Sequence, residues 1–133
     1  VIYQTLTPND EILNELIKNK SEELLKNELL IRKKNELPPF IRLIAIIVSS
    51  KDHSLSLKGA REIKMKLSKI SGLEILGPID SPLLKVKKNF RSRLLIRFNN
   101  HIMMQKKISV LLNKLQISSK IKLTVDVDPV NFA

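Results

Sequence analysis

The sequence predicts an α+β domain of the ferredoxin-like, split β-α-β-β-α-β kind. That is a four-stranded antiparallel sheet with two helices on one face, here preceded by a helical arm. Three observations predict it. Leu43 to Val48 is apolar on both faces, which suits a central strand. Two later segments carry apolar residues at spacings of three and four, the period of a helix. Ile121, Leu123, Val125 and Val127 alternate with polar residues, the period of a strand. The order of elements after residue 40 places the first and third strands together in the middle of the sheet.

The elements follow in order. Residues 1–5 suit a short strand. Thr7-Pro8 reads as a helix start, with Thr7 as cap, Pro8 in the first helical position, and Asp10 and Glu11 in the first turn. Ile12, Leu13, Leu16 and Ile17 form its apolar stripe. Ser21-Glu22-Glu23 opens a second helix with Leu24, Leu25, Glu28 and Leu29 along one side. Arg32, Lys33 and Lys34 close it, favourable at a carboxyl end, and Pro38-Pro39 stops it. After the strand at Leu43–Val48, Ser49 to Ser56 reads as a polar loop. Leu57, Ala60, Ile63, Leu67 and Ile70 mark a helix ended by Ser71-Gly72. Leu73 to Leu76 is a short strand broken by Gly77-Pro78, and residues 79–90 read as a loop. Arg91 to Phe98 is the third strand. Asn99-Asn100 is a turn or cap for a helix with Met104, Ile108, Leu111, Leu112 and Leu115 inward. The last strand, around Ile121–Val127, stops at Pro129.

At 133 residues with 43% apolar side chains, the chain has room for one ordinary domain and a modest core. The longest apolar run is far too short to span a bilayer, and no signal-peptide pattern opens the chain. Val1 begins inside an apolar pair, which reads as a cut through a longer polypeptide. The absence of cysteine excludes disulfides, thiolate nucleophiles and cysteine metal sites. A cytoplasmic compartment and no membrane partner are expected.

Charge is the sharpest compositional signal. The formal net charge is +11, and no acidic residue lies between Asp80 and Asp126, a gap holding eleven Lys and Arg. Residues 1–50 carry seven basic and seven acidic side chains and cancel, so the excess belongs to residues 51–133. Drift of a lysine-rich composition explains many of the Lys. It does not explain three Arg in seven residues, Arg91 to Arg97. A field of one sign on a small domain points to a polyanion, with nucleic acid first. Along a strand, Leu94, Ile96 and Phe98 face the helices, while Arg91, Arg93, Leu95 and Arg97 face away. Arg91 and Arg93 then stand roughly 6.6 Å apart, close to the spacing of phosphates in an extended single strand. Lys85, Lys87 and Lys88 extend this set, Phe90 offers a stacking platform, and Lys120 and Lys122 share the outer face of the last strand. The apolar side chains of the first strand on that same outer face suggest docking onto a neighbouring domain.

Other constellations are weaker. Asp126 and Asp128 share a face, without a third ligand for a hard cation, and read as a strand end and turn. His53 and His101 are isolated and lack metal-ligand spacing. Met103-Met104 reads as core. There is no Walker loop, G-x-G-x-x-G or G-x-S-x-G elbow, so no catalytic residue and no cofactor site is expected in this chain. A free-standing enzyme on this scaffold, such as a small phosphatase, would need the phosphate-cradling loop that is missing.

Several short motifs resemble one family in order. Ile2-Tyr3-Gln4-Thr5 with Pro8 looks like its "QT-x-x-P" segment. Glu28-Leu29 with Arg32, followed by Pro38-Pro39-Phe40 and Arg42-Leu43, resembles its "E-L-x-x-R … P-P-F-x-R-L" junction. Leu76-Gly77-Pro78 with Pro82, Asn89-Phe90-Arg91, and Asp126-Val127-Asp128-Pro129 resemble its "LGP" turn, "Y-R" pair and terminal "DVDP". The family is that of primosomal protein N′ (PriA), bacterial replication-restart helicases. The resemblance implies a carboxyl-terminal fragment of an ATP-dependent 3′–5′ DNA helicase active in primosome assembly. Residues 1–37 would be the end of helicase lobe 2 and a helical linker. Residues 38–133 would be the carboxyl-terminal α+β domain, which binds single-stranded or branched DNA and docks to the helicase core. ATP, magnesium and zinc would belong to the full-length parent and to segments upstream. Single-strand binding protein, through its acidic tail, and other primosome proteins are the implied protein partners, and an acidic-tail binding module is the alternative reading. Phe90 replaces the usual tyrosine, and Met103 and Met104 stand where relatives often carry basic residues.

Overall fold

The computed structural model describes residue 2, residues 4–99 and residues 102–130, with the backbone alone for residues 82–86. It divides into two compact units, Val1–Leu37 and Pro38–Ala133.

In the first unit, α1 spans Glu11–Ile17 and α2 spans Ser21–Lys34. The cap of α1 is Asp10 and not Thr7. The Asp10 carboxylate accepts from the amides of Ile12 and Leu13 at 2.9 and 3.2 Å, and carboxylate is the stronger cap. Thr7 instead accepts the Asp10 amide in the preceding turn. Residues 1 and 3 of the expected first strand lie outside the described residues, and residues 4–5 form none. Both helices end in a Schellman arrangement. The Lys20 amide donates to Glu15 O and the Leu37 amide to Arg32 O, with Asn19 and Glu36 at positive φ. Neither helix contains a buried residue.

The second unit is the split β-α-β-β-α-β fold. Its elements are β1 (Ile41–Ser50), α3 (His53–Leu67), β2 (Glu74–Val86), β3 (Asn89–Asn99), α4 (Ile102–Asn113) and β4 (Ile121–Val127). The sheet order is β2-β3-β1-β4, antiparallel throughout, so β1 and β3 hold the centre. Ile44, Ile46 and Val48 of β1, with Leu94, Ile96 and Phe98 of β3, meet Ala60, Ile63 and Leu67 of α3 and Ile108 of α4 in one core. Gly59 lets α3 lie close to the sheet: a Cβ there would meet Ile121 Cδ1 at 2.9 Å and Val48 Cγ1 at 3.3 Å.

Two loops expected from sequence are regular structure. Ser49–Ser56 shrinks to Lys51 and Asp52, because Ser50 stays in β1 and Asp52 caps α3 at the Ser54 amide. Ser56 is fully buried inside α3, its hydroxyl 3.0 Å from that of Ser92. Residues 79–90 are not a loop. β2 continues to Val86 through two register shifts and turns at Lys87-Lys88 into β3, which begins two residues earlier than expected. Pro78 and Pro82 hid this strand, and β2 tolerates them because it is a sheet edge with bulges. At the helix ends, α3 stops at Leu67 with Ile70 in the following turn, and Gly72 takes φ +87°. Asn99 closes β3, while Asn100 and His101 lie outside the described residues.

Candidate nucleic-acid interface

The antiparallel registers arrange the face opposite the helices in rows. Arg91, Ser49 and Lys122 form one row across β3, β1 and β4. Arg93, Ile47 and Thr124 form the next, then Leu95, Ala45 and Asp126. Arg91 and Lys122 are thus two strand spacings apart, about 10 Å. Beyond that row lie the hairpin turn with Lys87 and Lys88, the end of β1 with Lys51, and Lys120 leading into β4. Six cations therefore gather at one end of the sheet: Lys51, Lys87, Lys88, Arg91, Lys120 and Lys122. The two acids nearest are engaged. Asp52 caps α3, and Asp80 Oδ1 lies 2.7 Å from His53 Nε2. The Ser54 hydroxyl and amide donating to Asp52 hold its carboxyl below the usual aspartate value.

The opposite end of the sheet is neutralised. Arg97 Nη1 lies 3.3 Å from Glu74 Oε2, and Arg42 Nη2 lies 3.0 Å from Asp128 Oδ2. Asp128 sits past β4 at φ +50°, and its other oxygen accepts the Leu43 amide at 3.2 Å. Asp126 stays exposed on the sheet face, so the two aspartates do not form one site. Among the described residues no group of three His, Asp or Glu side chains gathers to hold a metal.

The residues expected to bind DNA separate accordingly. Lys87, Lys88, Arg91, Lys120 and Lys122 come together at the basic end. Arg97 is ion-paired at the other. Arg93 faces the same way as Arg91 but is only 6% exposed. Burial, and secondarily the neighbouring Arg91 charge, lower its pKa from the ordinary arginine value. Phe90 is not on the arginine face at all. It pairs with Ser50, shares the parity of Ser92 and Leu94, and packs on the His53 ring at 5.5 Å between centroids. The strand beginning at Asn89 rather than Arg91 fixes that parity. Lys120 precedes β4, in a turn where its amide donates to Ser118 Oγ. The side chain of Lys85 lies outside the described residues. The turn lysines occupy φ +48° and +65°.

Sequence reasoning missed Lys51. It lies with Ser49, Asn89, Ser119, Lys120 and Lys122 around a groove of about 600 Å³ at the basic end. The signal was Ser49-Ser50-Lys51 closing the central strand beside the hairpin. On the helix side, Met104 packs against the core while Met103 is 58% exposed. Met103, Ile70, Val110 and Leu115 floor a second groove of about 630 Å³ between α3 and α4. Lys66, Lys69, Lys106, Lys107 and Lys114 surround it.

A four-stranded split β-α-β-β-α-β sheet with its cations gathered at one end defines a class, the small basic α+β domain. Comparison with known proteins gives the particular family. Residues 33–130 match the Primosomal protein N C-terminal domain, and the chain belongs to that family. It is 30% identical over 133 residues to replication restart protein PriA of Rickettsia conorii, covering 99% of this chain. It is 29% identical to that of Borreliella burgdorferi and 32% identical to that of Chlamydia trachomatis, each over 98% of the chain. The chain spans about a fifth of the length of these relatives, 20%, 20% and 18% respectively. No helix among the described residues is long and apolar enough to cross a membrane.

Proposed function

We propose that the second unit is a DNA-binding accessory domain that holds single-stranded or branched DNA during replication restart. The observation that carries this reading is the asymmetry of the sheet: six cations at one end, and ion pairs at the other. An extended strand laid across β3, β1 and β4 would meet Arg91 and Lys122 about 10 Å apart, with Lys87 and Lys88 on one flank and Lys51 and Lys120 on the other. Among the described residues no aromatic side chain stands with these cations on that face, which favours phosphate contact over base contact, hence weak and sequence-tolerant binding.

In this reading residues 1–37 are the end of the second motor lobe and a linker, and the exposed leucines of α2 dock on the helicase core. ATP, magnesium and zinc serve the parent through segments other than this one, in the cytoplasm. Four to six phosphate contacts give a slope of log affinity against log salt of roughly −3 to −4. Fluorescence anisotropy with single-stranded and forked DNA at several salt concentrations tests this. Lys51→Ala with Lys120→Ala should flatten the slope by about 1.4. An unchanged slope sinks the basic end as the DNA site.

The groove between α3 and α4 favours a second reading for the other face. Its apolar floor and five lysines suit an acidic tail with apolar side chains, such as that of single-strand binding protein or another primosome protein. An acidic peptide that binds the chain and leaves DNA affinity unchanged supports two separate surfaces. Competition between peptide and DNA assigns both to one.

A further inference from the structure

Three grooves run in series round one side of the second unit, and a single stretch of chain lines all of them. Residues 119–122 bound the groove at the basic end of the sheet. Residues 115–118 bound a smaller groove of about 140 Å³, and Lys114 and Leu115 bound the one between α3 and α4. Residues 114–122 thus form one continuous wall. The opposite wall is a stripe of α3: Leu55, Lys58, Glu62 and Lys66 recur every three or four residues and share a face. Leu55 and Ile121 belong to both the first and the middle groove, and Lys66 and Leu115 to both the middle and the last. The rise of α3 from Leu55 to Lys66 carries the path about 16 Å.

We infer, on the DNA-binding reading above, that these grooves form one single-strand track. A DNA strand held at the basic end of the sheet continues along α3 and into the groove between α3 and α4. Cations stand along the whole path. Lys51, Lys120 and Lys122 mark its start, Lys58 and Lys66 its middle, and Lys69, Lys106, Lys107 and Lys114 its end. Among the described lining residues there are two acids. Asp52 is engaged as the cap of α3, and Glu62 lies one helical turn from both Lys58 and Lys66. The track therefore offers a polyanion favourable charge from one face of the domain to the other.

Shape selects one strand and not a duplex. The path turns from the sheet face to the helix face within a single small domain, whereas duplex DNA is stiff over about 150 base pairs. The middle groove is much smaller than the two it joins, a waist for one backbone and not for two. The last groove has an apolar floor, with Met103, Ile70, Val110 and Leu115. Unstacked bases can cover that floor with their faces, which a duplex keeps stacked inside itself. The sheet end thus grips phosphates alone, and the helix face adds a surface that only a single strand can use.

Fluorescence anisotropy at several salt concentrations tests this, with single strands of about six and about fifteen nucleotides. The longer strand should gain about three phosphate contacts, steepening the slope of log affinity against log salt by about 2. Lys69→Ala with Lys107→Ala, both exposed, should flatten the long-strand slope by about 1.4. Glu62→Lys, also exposed, sets a cation at the waist. It should tighten the long strand about fivefold and the short one less than about twofold, a gain that misfolding cannot produce. Circular dichroism confirms that each variant is folded. If the Lys69 and Lys107 variant leaves the long-strand slope unchanged while Lys51→Ala with Lys120→Ala flattens it, the track is overturned and the DNA-binding reading stands. If neither pair alters the slope, both fall. Equal tightening of the two strands by Glu62→Lys overturns the track. So does a Lys69 and Lys107 variant that loses an acidic peptide and no DNA.

Discussion

Gly77 is the residue for which the β2–β3 hairpin has no alternative. Its φ is +97°, and a Cβ there would lie 2.7 Å from the carbonyl oxygen of Arg93. Gly77→Ala should lower the unfolding free energy by about 2 kcal/mol or more, read from the urea midpoint. A midpoint within error of the parent would mean that the hairpin yields. Asp52 makes a different demand. Because its folded pKa lies below the ordinary 3.8, its contribution to stability is complete above that value and fades as pH falls through the lowered one. Asp52→Asn keeps an N-cap but cannot titrate, so its melting temperature should fall less steeply over that acid window than the parent's. Parallel acid profiles would remove Asp52 from the account. Arg93 bears on design: at 6% exposure its replacement disturbs packing, so Arg93→Ala is no test of DNA contact.

At the level of elements, the hairpin turn Lys87-Lys88 joins the proposed DNA contact to a positive-φ backbone. Both residues lie at positive φ, where Asn-Gly is the favoured pair. Replacing Lys87 by Asn and Lys88 by Gly should raise the thermal midpoint while flattening the salt slope of DNA binding by about 1.4, two phosphate contacts. Loss of both stability and affinity, or retention of both, would contradict the assignment. This turn also shows what sequence could reveal. The central strand β1, the amphipathic α3 and α4, the alternating β4 and the order of strands were legible, because burial on one face imposes a period. β2 was not. Its prolines, its bulges and a turn built from lysines cancel the period and the usual turn residues together. The error propagated to the site. Once β3 begins at Asn89, Phe90 belongs to the helix face with His53. Lys51 was hidden for a related reason, since a strand that ends in two serines and is followed by a lysine looks like a loop.

Over the whole molecule, the two units differ in how much they bury. No residue of α1 (Glu11–Ile17) or α2 (Ser21–Lys34) is buried, whereas β1 contains seven residues at or below 8% exposure. Amide exchange should be fast in α1 and α2 and slow in Ile41–Ser50 and Leu94–Phe98. Uniformly slow exchange would show that the first unit is held by something other than its own core. The chain alone should hydrolyse no ATP, and hydrolysis abolished by a single substitution in this sequence would overturn that expectation. One consequence of the topology concerns synthesis. β1 is the earliest strand of the sheet to be made, yet it pairs with strands beginning at Asn89 and Ile121. An elongating chain must therefore carry Leu43–Val48, its most apolar run, without a paired strand until β3 has left the ribosome, and with one side open until β4 has. Long-range pairing of this kind folds slowly and invites misassembly. The lysines that follow it in the sequence keep the waiting chain charged, and so apart from its copies, while β1 has no partner.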